Sequence, residues 1–307
     1  MDDKKDFLVL RYSLVEEPQH SLTMQLLPPI KGHAALSALE GDREFQLNGV
    51  RYGFLGFSAV EPTPSTSIER RRYFIGKIAR LKLAHVGKKI PGDILETQED
   101  DWIPLLAIFD VTGQYIFVRK DYRFGTPEQT MRALQAGLRE PVMATFNHRA
   151  FVEACTRKEK FWEVVAEHRR FYKLELRLIS PNILETNLRA RDALAAMKDL
   201  FHQDQVTITL NSESGDLVVP KTPVADYLEY IEEGEGAWAL TTEGLHGGKK
   251  TYSSSDNIDT VQVSLVEERT SPEAQQLDIS GMPSNQISCN SDAEIVEEIL
   301  RKASGIK

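Results

Sequence analysis

The stretch IPLLAIFDVTGQYIFVRKD, residues 103–121, sets two apolar, β-branched and aromatic runs on either side of DVTGQ. Runs of that kind around a short turn pair with each other as an antiparallel hairpin. Parallel strands would each need a long crossover, so a hairpin-rich chain is steered away from a doubly wound parallel fold. The signal recurs along the sequence. DFLVLRYSLV (6–15) reads as a strand, and REFQLNGVRYGFLGFSAV (43–60) as two strands around Asn48-Gly49, a dipeptide that favours tight hairpin turns. FYKLELRLIS (171–180) alternates Tyr172, Leu174, Leu176 and Leu178 with Lys173, Glu175 and Arg177, the period of a half-buried strand. QVTITLNS (205–212), GAWALTTEG and DTVQVSLVEE supply further strands.

Helical patterns lie between these runs. PEQTMRALQAGLRE (127–140) predicts a helix with proline near its start, where the missing N–H costs little. VMATFNH then reads as a strand, and RAFVEACTRKEKFWEVVAEHRR as a long helix. After Pro181-Asn182, the residues Ile183, Asn187, Ala190, Leu194, Met197 and Phe201 recur at helical spacing, a stripe that belongs against a core. PVADYLEYIEE adds a short helix. The expected class is α+β, with largely antiparallel sheets and packed helices, plus a C-terminal linker and helix.

At 307 residues the chain is long enough to bury a substantial core, and no repeat recurs at periods of 20–50 residues. Residues 1–267 read as one body, with a subdomain break placed near 122–140. From 268 to 290 the sequence is polar, with Pro and Gly and few apolar anchors, the composition of a flexible linker. Residues 291–307 then form a helix, with Ser291 and Glu294 in capping-box spacing. Its narrow stripe of Ile295, Ile299 and Ala303 docks either on its own body or on another chain. Two cysteines make no disulfide framework, and neither a signal peptide nor a membrane-spanning run is present. A cytoplasmic protein without membrane contact is expected.

Charge is unevenly spread. From Asp204 onward there are 7 Lys+Arg against 19 Asp+Glu, and before it 30 against 27. Within RRRYFIGKIARLKLAHVGKK (70–89), eight Lys or Arg and one His fall in twenty positions of a chain with net charge −9. Arg70, Arg71, Arg72, Lys77, Arg80, Lys82, Lys88 and Lys89 stand there against Glu69 alone, with Tyr73, Phe74 and His85 between them as stacking surfaces. On a strand, Arg70, Arg72, Arg80 and Lys82 share one side, a geometry suited to a phosphate backbone. A helical reading through Phe74, Ile78 and Leu81 competes, and Pro91 ends either element. Arg169 and Arg170, in a second basic set, would extend the track. An ordinary solvated face, balanced by the acidic third, is the competing explanation.

Catalytic and metal signatures do not survive inspection. The seven histidines never adopt H-x-x-x-H or H-E-x-x-H spacing, and there is no C-x-x-C, so neither metal nor cofactor is expected. His148 and Cys155 are candidates for a thiol–imidazole pair only if the fold joins them. ETQEDDW (96–102) collects four carboxylates in what reads as a solvated loop rather than a two-metal site. EGLHGGKKTY (243–252) breaks the phosphate-loop pattern twice, with Glu243 in a Gly position and Lys250 where Ser or Thr is required.

The hairpin LLAIFDVTGQYIFVRKD, the segment FNHRAFVEACTRKEKFWEVVAEHRRFYKLELRLISPN, and the helix and strand that follow resemble in layout a group of bacterial proteins encoded near mobile elements. This group includes the RexA proteins of phage exclusion and the B components of Kiwa systems. The resemblance covers roughly half the chain. It implies DNA binding without an evident catalytic centre, in anti-phage defence, and it transfers no site residue because it carries no diagnostic motif. The resulting expectation is a non-enzymatic nucleic-acid-binding or sensing protein that contacts the phosphate backbone, of DNA rather than RNA. It would act as a homo-oligomer or complex subunit, with a protein partner reached through the C-terminal helix. The alternatives are a nuclease-type enzyme whose site is assembled from distant residues, and a protein-interaction subunit of a defence complex.

Overall fold

The computed structural model describes residues 4–17, 26–60, 73–179, 188–244, 247–264 and 292–303. Strand β1 (Lys4–Glu16) precedes a 3-10 turn (Lys31–Ala35) and the short helix α1 (Leu36–Leu39). A five-strand meander follows: β2 (Arg43–Leu47), β3 (Val50–Val60), β4 (Tyr73–Ile90), β5 (Asp93–Asp110) and β6 (Tyr115–Arg119). Helix α2 (Pro127–Phe146), strand β7 (His148–Ala154) and helix α3 (Lys158–Glu167) lead out of it. Next come β8 (Phe171–Ile179), α4 (Leu188–Phe201), β9 (Gln205–Asn211) and α5 (Lys221–Glu232). The chain continues through β10 (Gly236–Glu243), β11 (Lys249–Ser253) and β12 (Thr260–Ser264), and α6 spans Asp292–Ala303.

Two antiparallel sheets result, so the protein is α+β. The larger has eight strands in the order β12-β1-β6-β5-β4-β3-β2, with β7 also on β1, and the smaller runs β11-β10-β8-β9. Strand β1 is long enough to hold two partners along one edge, β12 beside Lys4–Leu8 and β7 beside Leu10–Glu16. Both faces of the larger sheet are covered, which explains why β1 is apolar at both parities. Leu8, Leu10, Tyr12 and Leu14 pack with Leu134, Leu138 and Val142 of α2. Phe7 and Val9 pack on the other side with Ile295, Val296 and Ile299 of α6. The apolar stripe of the C-terminal helix is thus buried on its own sheet. The proposed linker, 268–290, and the capping residue Ser291 lie outside the described residues.

Local chemistry accounts for several elements. Asn48 (φ 50°) and Gly49 (φ 78°) both take positive φ, as a two-residue hairpin turn of the expected kind requires. In the 103–121 hairpin the Asp110 carboxylate accepts from the backbone N–H of Thr112 and Gly113, at 3.2 and 2.8 Å, and fixes the turn. Helix α2 opens on a capping box of Thr126 and Gln129.

Outside the β4–β5 hairpin, three expected elements differ. Helix α2 runs through Pro141 to Phe146 instead of giving way to a strand. Proline lacks the N–H that would bond to the carbonyl four residues back, and that carbonyl, on Gly137, accepts instead from the Arg43 guanidinium. The long helix expected after it splits. Residues 148–154 form β7, recruited by seven pairings to the open edge of β1, and only Lys158–Glu167 is helical. Of the stripe on α4, Leu194 is buried, whereas Met197 and Phe201 are 38% and 71% exposed, so the stripe does not face a core as expected. Ile183 lies outside the described residues.

The sheets meet at polar contacts. Glu153 on β7, 5% exposed, accepts both bonds of Arg177 on β8 at 2.8 Å. Arg11 on β1 donates to the Glu233 carbonyl and lies 3.9 Å from the Glu235 carboxylate. On the smaller-sheet side, Tyr230 of α5 donates to the carbonyl of Ile179, the last residue of β8, at 2.6 Å. The segment 122–140 holds the start of α2 and belongs to the larger sheet, while the chain enters the smaller one at β8.

Near this junction burial pulls the Lys31 ammonium down from 10.5 to about 8. Lys198 acts in the same direction, and Glu235 and Glu16 oppose it. The unfolded chain therefore binds the extra proton between about pH 8 and 10.5, and folding stability rises with pH across that window. Lys31→Met is expected to be more stable than the parent at pH 7 and to lack that share of the rise. Denaturant midpoints at pH 7, 8, 9 and 10 for both proteins test this, and equal pH slopes would assign the rise to another group.

Candidate nucleic-acid interface

Strands β4 and β5 pair along 18 residues each, but β3 covers β4 only as far as Arg80 and β6 covers β5 only from Ala107. From Leu81↔Trp102 to Ile90↔Asp93 the two strands have only each other and form a ribbon about 30 Å long. Pro91 fixes the first position of its tip, and Gly92 (φ 82°) takes the left-handed second one. The expected loop 96–102 is therefore part of β5, and its carboxylates stand beside the basic strand. Lys82 faces Asp101, Leu83 faces Asp100 and Ala84 faces Glu99. Over the ribbon, three lysines meet five carboxylates.

The candidate cations separate into groups. Arg80 and Lys82 share one face as the alternation requires, yet their heads donate to the carbonyls of Phe124 and Arg123 in the loop after β6. Lys77 is exposed on the opposite face of β4, across from Leu106. Lys88 and Lys89, on opposite faces near the tip, are exposed, stand across from Leu95 and Ile94, and pair with no carboxylate among the described residues. Arg169 and Arg170 lie in the bend that leads into β8 of the smaller sheet, and Arg170 pairs with Glu243 at 3.8 Å, so they do not continue the ribbon. Arg70, Arg71 and Arg72 lie outside the described residues.

The ribbon thus has an acidic root and a cationic, apolar tip. At the tip Ile94 is 62% and Leu95 51% exposed, with Val86 and Ile90 near 40%. Exposed aliphatics on an unsupported two-stranded ribbon cost solvation without adding packing.

At the root, a cleft of about 370 Å³ opens between β5 and the loop after β6. It is lined by Lys82, by residues 101–104 of β5, and by Tyr122 and Arg123. The fully buried Phe124 anchors the loop, and Tyr122 stands 89% exposed. Asp121 takes the Arg123 guanidinium at 2.7 Å and also accepts from its backbone N–H, and these bonds hold the Asp121 carboxyl below its usual range. Tyr122 and Arg123 were missed by sequence reasoning. The signal available was the pair of polar, aromatic positions between a hairpin and a helix cap.

Other candidates dissolve. His148 and Cys155 flank β7 at opposite ends, with the His148 ring bonded to the Phe146 carbonyl at 2.7 Å. Burial pushes the Cys155 thiol up to about 12, far from a reactive thiolate. No group of three or more His, Cys, Asp or Glu side chains among the described residues is placed to hold a metal ion. Lys249 and Lys250, the first residues of β11, each lie 4.3 Å from the centre of a tyrosine ring, of Tyr172 and Tyr252. Among the described residues no helix is long and apolar enough to cross a membrane. No protein-family model matches this chain, and no curated protein matches it either.

Proposed function

We propose that this protein binds nucleic acid without catalysing a reaction on it, engaging a duplex groove with the β4–β5 ribbon. The observation that carries the reading is the tip, where two exposed lysines on opposite faces flank a patch of Ile90, Ile94 and Leu95. A major groove admits a two-stranded ribbon, and lysines on its two faces reach the two phosphate walls. The aliphatic tip offers contact with base edges or a wedge between steps, and little sequence preference follows. The layout resemblance supplies the setting, anti-phage defence in a bacterial cytoplasm, as part of the same proposal.

The test is affinity for duplex DNA over a salt series, with Lys88→Glu/Lys89→Glu beside the parent. The parent's log–log slope should be about −2 or steeper, and the variant should bind more weakly with a slope shallower by about 2. Equal slopes and affinities, or no binding by the parent at low salt, would sink the reading. The acidic root supports a second one, a protein partner with a basic surface. That reading predicts no DNA binding and a complex weakened by Asp100→Lys/Asp101→Lys.

A further inference from the structure

We infer that the free edge of the smaller sheet is a two-fold interface, at which β9 pairs antiparallel with β9 of a second copy of this chain. The inference stands apart from the nucleic-acid reading. Strand β9 closes its sheet and pairs with β8 alone among the described strands. The Ser212 N–H bonds to the Tyr172 carbonyl at 2.8 Å, and the Ile179 N–H to the Glu235 carbonyl at 2.9 Å, which fixes the alternation along the ladder. Val206, Ile208 and Leu210 therefore turn their backbone groups toward β8, while Gln205, Thr207, Thr209 and Asn211 turn theirs outward. The other terminal strands are blunted. On β12 the outward carbonyl of Gln262 accepts from Lys302 of α6, and on β7 the outward N–H of Val152 donates to the Gln135 side chain of α2 at 3.0 Å. Strand β2 carries Arg43 and Glu44, and β11 carries Lys249 and Lys250. Strand β9, QVTITLN, holds no charge, proline or glycine, and no group among the described residues bonds to its outward backbone.

A second copy is the occupant that fits, because the strand is complementary to itself. With a two-fold axis at Ile208, that residue faces the partner's Ile208, Val206 faces the partner's Leu210, and Thr207 faces the partner's Thr209. Gln205 then meets the partner's Asn211. The whole strand is used, its outward groups form about eight backbone bonds, and no like charges oppose each other. An axis one residue away leaves a strand end unpaired. The apolar face points to the same partner. Val206, Ile208 and Leu210 lie on the side of the sheet that packs against α3, α4 and α5, yet Leu210 is exposed. Across the axis it meets the partner's Val206. Helix α4 leads into β9 through residues 202–204, and Leu194 shares its core with Val206 and Ile208, whereas Met197, Leu200 and Phe201 remain exposed. An axis perpendicular to the sheet keeps both helix layers on one side, so the second copy adds its own α4 to the layer that holds these three side chains.

Sedimentation velocity of the full chain over a concentration series tests this, beside Thr207→Lys/Thr209→Lys and Thr207→Glu/Thr209→Glu. Both threonines are exposed, so either double substitution leaves the core untouched, and matching circular dichroism certifies the folds. The parent should sediment with twice the mass of one chain. Each variant alone should sediment as a single chain, since its two substituted positions face each other across the axis with like charge. An equimolar mixture of the two variants should recover the doubled mass, because every substituted position then meets the opposite charge. A parent that stays monomeric throughout overturns the interface and leaves the edge to another segment of this chain or to a different protein. A parent dimer that persists in both variants places the contact elsewhere and overturns it as well. Folded variants that dissociate and stay apart on mixing overturn the pairing centred on Ile208.

Discussion

Replacing residues 85–98 by Asn-Gly should abolish duplex binding while leaving the body folded. Ala84 and Glu99 are register partners an even number of steps from the Ile90↔Asp93 pair that flanks the native turn, so a two-residue turn closes the shortened hairpin without a frame shift. The excised residues touch solvent and one another, and both hydrophobic cores of the larger sheet end at or before Ile103 on this hairpin. The thermal midpoint should therefore move by no more than about 3 °C, the scale of a sub-kcal/mol change in a chain this size. Duplex affinity at about 50 mM salt should fall well beyond tenfold, because both tip lysines and the whole aliphatic patch leave together. The root of the ribbon survives the excision with Lys82, Asp101, Tyr122 and Arg123 in place, so the loss is assigned to the tip. An excised protein that still binds duplex with the parent's salt slope would place the interface elsewhere.

What the sequence disclosed follows the reach of each interaction. Asn48-Gly49 and the Asp110 turn are set by residues within four positions of one another, and both hairpins were legible for that reason. The antiparallel α+β class followed from them. Pro141 is a local stop signal and ends the expected helix early, while the group that compensates it, Arg43, is nearly a hundred residues away. The strand character of β7 comes from the unpaired edge of β1, which no local pattern in RAFVEA reports, so the segment reads as helix. Met197 and Phe201 keep helical spacing, but the core that would cover them stops at Leu194. The site was half legible. Charge density picked out β4, yet the acidic strand opposite it depends on the register set by Pro91-Gly92, a turn present in the sequence and taken only as an ending. The cleft had no local signature, since it exists only where the Tyr122–Arg123 loop folds back on β5.

The contact between the sheets gives the second large effect. Glu153 is buried, burial raises its carboxyl above the usual range, and Arg177 opposes that rise with charge and hydrogen bonds. Removing the guanidinium in Arg177→Met leaves an uncompensated carboxylate between β7 and β8. Breaking a buried pair in this way costs about 3–5 kcal/mol, and about 2 kcal/mol is expected here because the Arg177 side chain is itself 41% exposed. The pH dependence has a definite sign. A carboxyl whose folded pKa is raised binds more protons folded than unfolded, so stability falls as pH rises from the unfolded value through the folded one. Without Arg177 that rise in pKa is larger. The loss in Arg177→Met should thus be greatest above neutral pH and shrink as the medium is taken down toward the ordinary carboxylate range, where Glu153 protonates in both states. Glu153→Gln/Arg177→Met should recover most of the loss at pH 8, since no charge is left to desolvate. Urea denaturation of the parent and both variants at pH 5 and 8 reads all three quantities. A deficit equal at the two pH values, and unrelieved by Glu153→Gln, would mean that Arg177 joins the sheets by the packing of its aliphatic stem and not by its charge.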